Sequence, residues 1–171
     1  EEKKYFIDQV SLSDIEPKNP SKKITRGLSR LERQDEQRIK TIKSDYSPYV
    51  DREALTEYFS EWQYPLHCID FETSMMALPF HKGMHPYEQI AFQFSHHIIY
   101  EDGSVIHQDE WLNVEAGRFP NFDFVRALKK ALEMEGTIFR YATHENTVLC
   151  QVYEQLLRSE EPDKEELMEF I

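Results

Sequence analysis

The chain has 171 residues, with 20 Lys and Arg against 32 Asp and Glu, a formal net charge of −12. That length allows one domain with a sizeable core, or a smaller domain with appendages. The acidity disfavours a broad electrostatic grip on nucleic acid, which calls for a basic face, but leaves room for a site in which clustered acids hold cations.

Residues 1–50 are highly charged and read as a linker or helical tail belonging to an upstream domain of the same chain. Pro17, Asn19, Pro20 and Ser21 give Asp14–Lys23 the chemistry of a loop. Leu28, Leu31, Ile39 and Ile42 make a thin apolar stripe for a solvated helix. The bases Lys22, Lys23, Arg26, Arg30, Arg33, Arg38, Lys40 and Lys43 form the one cationic run, read as a solvated linker with nucleic-acid contact as the alternative. Asp51 is placed to cap a helix running to about Gln63, with Leu55, Tyr58, Phe59 and Trp62 facing a core. A strand follows at Pro65–Thr73, then a Pro- and Gly-bearing loop over Met75–Tyr87. Gln89–Ile99 alternates as a second strand, with Ile90, Phe92 and Phe94 on one face. Asp102-Gly103 turns it into a third strand at Val105–Leu112. Asn121–Glu135 is expected as a helix closed by Gly136, Thr137–Ala142 as a fourth strand, Glu145–Arg158 as a helix, and the acidic tail as helical. Residues 51–171 therefore read as an α/β domain with a mixed sheet: three antiparallel strands, a helix, a strand and a helix.

Within the first strand, Asp70 and Glu72 sit in an apolar run of Leu66, Cys68, Ile69 and Phe71. Alternation along a strand projects both carboxylates from one face. Such neighbours repel, and a divalent cation between them removes the repulsion. A strand end whose acids reach water is the competing reading. Asp14/Glu16, Asp51/Glu53 and Asp163/Glu165 repeat the spacing in polar or helical surroundings and read as solvated faces.

Ile69-Asp70-Phe71-Glu72-Thr73 resembles the first motif of the DEDD exonucleases, which use a ribonuclease-H-like fold. Together with Tyr64-Pro65-Leu66, Pro86-Tyr87-Glu88-Gln89-Ile90, Phe92-Gln93-Phe94-Ser95 and Glu145-Asn146-Thr147-Val148-Leu149, it resembles the bacterial family called domain of unknown function 2779, over roughly residues 26 to 171. The resemblance implies a 3′–5′ exonuclease type of phosphodiester hydrolysis using two ions of Mg²⁺ or Mn²⁺, acting on DNA or RNA ends, single-stranded ones foremost. It implies Asp70, Glu72 and Glu145 as metal-holding catalytic acids, with Thr73 at the substrate end. Ala142-Thr143-His144 departs from the family's usual Asn before the third acid. The fourth acid has no counterpart, so the ribonuclease-H-like domain reads as truncated at its C-terminus. Asp163 and Glu165 are poor substitutes, lying past the far end of the helix that Glu145 begins. The competing class is a non-catalytic ribonuclease-H-like module that binds partners or nucleic-acid ends.

His144 is placed to orient Glu145 or touch phosphate, with a solvated helix start as the alternative, and Gln93 to line the site or simply pack. His81, His85, His96, His97 and His107 raise the question of a zinc site, but His96 and His97 point to opposite faces of a strand and no Cys or His stands at ligand spacing, so no structural zinc site is expected. Phe122 and Phe124 read as core. Cys68 and Cys150 read as buried thiols in a reducing, cytoplasmic setting. No signal peptide pattern and no apolar run near a membrane span are present, and the opening Glu1-Glu2-Lys3-Lys4, without Met, reads as a fragment of a longer protein.

Overall fold

A computed structural model of the chain describes residues 10–15, 27–132 and 135–171. The chain divides after Glu61 into two units, 1–61 and 62–171, each taken by itself below.

In the first unit, a single 3₁₀ turn at Leu12–Asp14 precedes α1 (Arg30–Ile42) and α2 (Arg52–Phe59). The Ser29 hydroxyl accepts the Glu32 N–H while the Glu32 carboxylate accepts the Ser29 N–H at 2.7 Å, a reciprocal cap that fixes where α1 begins. Asp51 caps α2 as expected, accepting the Ala54 N–H at 3.0 Å. Neither helix buries a residue. Leu55, Tyr58 and Phe59 stay 40%, 49% and 48% exposed, while Trp62, past the end of α2, is half-buried and meets Phe139 edge-on at 4.7 Å. A helix of two turns offers too short a stripe to enclose. Residues 16–23 of the expected loop, and Lys22, Lys23 and Arg26 of the basic run, lie outside the described residues. On α1, Arg38 pairs with Asp35 and Lys40 with Asp45.

The second unit is a mixed α/β fold. Its strands are β1 (Leu66–Met75), β2 (Gln89–Ile99), β3 (Val105–Leu112) and β4 (Thr137–Arg140), ordered β3-β2-β1-β4 across one sheet. β1 pairs antiparallel with β2, β2 with β3, and β1 parallel with β4, as the order of elements led one to expect. α3 (Asn121–Ala131) carries the chain from the β3 edge to the β4 edge, and α4 (His144–Leu157) and α5 (Lys164–Phe170) follow.

One face of the sheet builds the core. Ile69, Phe71, Ala91 and Phe94 pack under Phe124, Val125 and Leu128 of α3 and Val148, Val152 and Leu156 of α4. Phe124 is fully buried and meets one aromatic ring from each of three strands edge-on, Phe71 at 4.9 Å, Phe94 at 5.6 Å and Trp111 at 5.8 Å. Buried Asn121 at the start of α3 accepts the Ala91 N–H at 2.8 Å and donates to the Gln89 carbonyl at 2.9 Å, locking the helix to β2.

Three expectations need correction. Ile90, Phe92 and Phe94 do not share a face, because the register against β1 skips Phe92; Ala91 and Phe94 are the core residues instead. Gly136 does not close α3, whose cap is Leu132. It lies at φ +144°, where a Cβ would overlap the Pro65 carbonyl oxygen and come within 3.0 Å of the His67 ring, so it serves close approach. Cys150 is exposed and Cys68 half-buried, both free.

The packing of Phe124 gives a direct test. Replacing Phe124 with Ala removes the ring shared by β1, β2 and β3, and is expected to lower the unfolding free energy by about 3–5 kcal/mol in urea denaturation. A loss under about 1 kcal/mol would mean the ring is not the close-packed centre described.

Candidate active site

β1 positions the two acids. Asp70 lies opposite Ser95 and Glu72 opposite Gln93, so these four residues share the face away from Ile69 and Phe71. Both acids are exposed. Immediately after Glu72 the register jumps, and Thr73 faces Ala91. By alternation with Phe71, Thr73 lies on the core side, where its Oγ1 is 3.1 Å from Nε2 of His144, the first residue of α4. That contact fastens the N-terminus of α4 to the C-terminal end of β1, beside the end of the parallel partner β4. Ligand sites of open α/β sheets gather at such strand ends.

Glu145 comes next and turns inward with Val148 and Val152, on the sheet-facing side of α4. It is 4% exposed, and its Oε2 has no hydrogen-bond partner. Burying an ionised carboxylate oxygen without a partner is costly. The helix N-terminus offsets part of that cost, and Thr143 makes no side-chain cap of its own. A buried oxygen left over in this way is the kind of donor that a hard cation satisfies, and on that ground Glu145 suits a divalent ion bound through oxygen.

The structure thus brings together Thr73 and His144, sets Gln93 across from Glu72, and starts the helix of Glu145 at the strand end that carries Asp70 and Glu72. It does not close a cage: Asp70 and Glu72 project from one face of β1 and Glu145 from the core side of α4. Among the described residues no three His, Cys, Asp or Glu side chains are placed to hold a metal ion. Asp163 is engaged elsewhere. Arg126 donates to it at 2.7 Å and 2.6 Å, and also pairs with Glu161 and Asp123. The Arg126 hydrogen bonds hold the Asp163 carboxyl below its ordinary range.

Three groupings escaped sequence reasoning. His67 and His96, both fully buried, meet at 2.9 Å between Nδ1 and Nε2, and His96 Nδ1 reaches Asp109 at 3.3 Å. Burial pushes His96 below the usual histidine range, against the pull of Asp109. On the opposite face, His97, His107 and Glu110 form a chain of contacts. In the loop before β2, Glu88 accepts from Arg158 of the α4 C-cap and from the His85 N–H. Strand register and loop closure create all three groupings, and neither is visible in residue spacing.

Residues 67–171, more than half the chain, match the family described as Domain of unknown function (DUF2779). The chain belongs to this family. No curated protein and no solved structure matches it. The match in the DUF2779 chain covers the four strands, save Leu66 at the start of β1, and α3 to α5, and so every candidate residue above. No helix among the described residues is long and apolar enough to cross a membrane.

The tie between the β1–β2 loop and the end of α4 is sensitive to acid. Burial alone pushes the Glu88 carboxyl up, but hydrogen bonds from Arg158 and His85 outweigh it and hold the group down at about 2, below the ordinary 4.5. The unfolded chain therefore takes up this proton first. Glu88 contributes stability in full above about pH 4.5, and that contribution fades as the pH falls toward 2. Tm measured against pH for wild type and Glu88→Gln should show a constant gap at neutral pH that closes in this window. A gap unchanged down to about pH 2.5 would show that Glu88 is not held as described.

Proposed function

We propose that the DUF2779 domain is a metal-dependent nuclease of the DEDD exonuclease type, with a ribonuclease-H-like arrangement, acting on the ends of DNA or RNA strands. The observation that carries this reading is Glu145: a buried carboxylate with an unsatisfied oxygen, at the first turn of the helix that starts over the strand end bearing Asp70 and Glu72. The strand–acid–acid pattern followed by an acid at this helix start corresponds to three of the four acids that the DEDD resemblance implies.

In this reading Asp70, Glu72 and Glu145 hold Mg²⁺ or Mn²⁺, the ions suited to ligation by carboxylate oxygen alone. When bound, such ions supply an activated water and neutralise charge on the phosphate. The chain's own residues orient the strand end. Thr73 and His144, joined at 3.1 Å, present a hydroxyl and an imidazole on the side of Glu145, and Gln93 offers an amide next to Glu72 on the other face of β1. With a net charge of −12, the protein draws a phosphate chain in locally, through the cations.

A second reading has its own support. Because no three ligating side chains converge among the described residues, the domain also suits a non-catalytic module that binds nucleic-acid ends or a partner within a larger protein.

Digestion of end-labelled single-stranded DNA and RNA by the intact protein with Mn²⁺ separates the two. The nuclease reading expects shortening from one end, lost in Asp70→Asn and reduced by about two orders of magnitude in Glu145→Gln, as removal of a group supporting a catalytic metal does. Equal cutting by Glu145→Gln would remove Glu145 from the site. Absence of cutting with any divalent ion would leave the binding module standing.

A further inference from the structure

The sheet face opposite the core carries a second chemistry. β2 and β3 pair with a break in register: His96 faces Asp109 and His97 faces His107, so Gln108 is an extra residue on β3. Without this bulge, residues 107 and 109 would point the same way. With it, Asp109 turns to the core side beside buried His96, and His107 turns to the outer side beside exposed His97. The bulge also sets His107 and Glu110, three residues apart, on one face, where His107 Nε2 and Glu110 Oε2 lie 2.8 Å apart.

Two nitrogens then confront each other across the strands. His107 Nδ1 and His97 Nε2 are 3.3 Å apart, with the rings edge to face at 66°. In the tautomer that donates its Nε2–H to the Glu110 carboxylate, His107 keeps its lone pair on Nδ1, the atom within hydrogen-bonding distance of His97 Nε2 and the one free for a metal once His97 presents its own lone pair. A histidine whose far nitrogen is held by a carboxylate is the arrangement that orients and strengthens imidazole as a metal ligand. Zinc–nitrogen bonds of about 2.0–2.1 Å in a tetrahedral ion set two imidazole nitrogens roughly 3.3–3.4 Å apart, which is the separation found here. The pair is open to solvent, His107 being 46% and Glu110 71% exposed. Imidazole nitrogens select borderline ions such as Zn²⁺, Ni²⁺ and Cu²⁺ and leave Mg²⁺ to carboxylates.

We propose that His97 and His107 form a cross-strand two-histidine site for a zinc-class divalent ion, with Glu110 as the positioning residue that fixes the His107 tautomer and with solvent completing the coordination. The site supplies two protein ligands, in keeping with the absence of any trio of ligating side chains among the described residues. By joining β2 to β3 it also stabilises the sheet edge, because an ion that binds only the folded state shifts the unfolding equilibrium.

The test is calorimetric titration of the intact protein with Zn²⁺, and separately Ni²⁺, in millimolar Mg²⁺ to fill carboxylate sites, with Tm followed in parallel. One saturable site and a Tm that rises with Zn²⁺ are expected. His97→Ala and His107→Ala should each weaken binding by at least about 100-fold and abolish the Tm response, while Glu110→Gln weakens it about 10–100-fold. All three positions are exposed, and unchanged circular dichroism will verify the fold of each variant. Cys68→Ser should bind as wild type. Binding that survives His107→Ala, binding that is lost in Cys68→Ser, or no saturable binding by wild type overturns the proposal.

Discussion

Alternation along a strand would send every second side chain to the same face, and two departures from it decide where the chemistry of this domain lies. On β2 the extra residue is Phe92, and on β3 it is Gln108. Phe92 allows Ala91 and Phe94, three apart, both to enter the core under Phe124. It also marks the point where β1 passes from outward-facing Glu72 to Thr73, which faces inward to meet His144. Gln108 sends Asp109 and His107 to opposite faces, giving each of the adjacent histidines of β2 its own partner. Each bulge bends and twists the strand locally, and that is how a flat ladder comes to aim side chains at a particular place.

The energetics around Glu145 follow from the same placement. An unpartnered buried acceptor costs about 1–3 kcal/mol, more when charged. The N-terminus of a helix returns about 0.3–1 kcal/mol, up to about 2 in partly buried settings. The dipole alone therefore does not balance the burial. The rest of α4 holds the residue in regardless, since Val148, Val152 and Leu156 are fully buried on the same side. The domain thus keeps a carboxylate where packing dictates and leaves it an unmet demand for positive charge. This supports the proposed cation site more strongly than the exposed pair Asp70 and Glu72 does, because exposed acids are satisfied by water.

Much of the fold was legible because the local signals agreed with the tertiary ones. β2 and β3 begin and end where alternation and the Asp102-Gly103 turn place them, and α4 begins one residue before the expected start. The N-caps Ser29 and Asp51 bond only to neighbours in sequence, so their effect needs no knowledge of the fold. What escaped was decided at a distance. Gly136 is required by Pro65 and His67, some 70 residues earlier. The apolar spacing of α2 is genuine, yet nothing in it tells whether a surface exists to receive it. At the candidate site, the shared face of Asp70 and Glu72 follows from period-two geometry alone. The contact of Thr73 with His144 and the isolation of Glu145 Oε2 depend on where α4 starts after the parallel strand β4, which residue spacing on β1 does not announce.

The outer face of the sheet then reads as rows across the strands. His107, His97 and Cys68 make one row, Glu110, Ser95 and Asp70 the next, and Leu112, Gln93 and Glu72 the third. Strands lie about 4.8 Å apart, so Glu110 and Asp70 are separated by roughly 10 Å at the backbone, close to one screening length at physiological salt. Three carboxylates within that reach repel a phosphate chain and attract cations. Order of binding follows from sign: a cation must reach this face before an anionic strand can. In the two proposed sites the donors would sort the cations, oxygen at the Asp70 end for hard ions and imidazole at the His97 end for borderline ones. On the proposed function, an acidic sheet face accepts a nucleic-acid substrate only through bound cations.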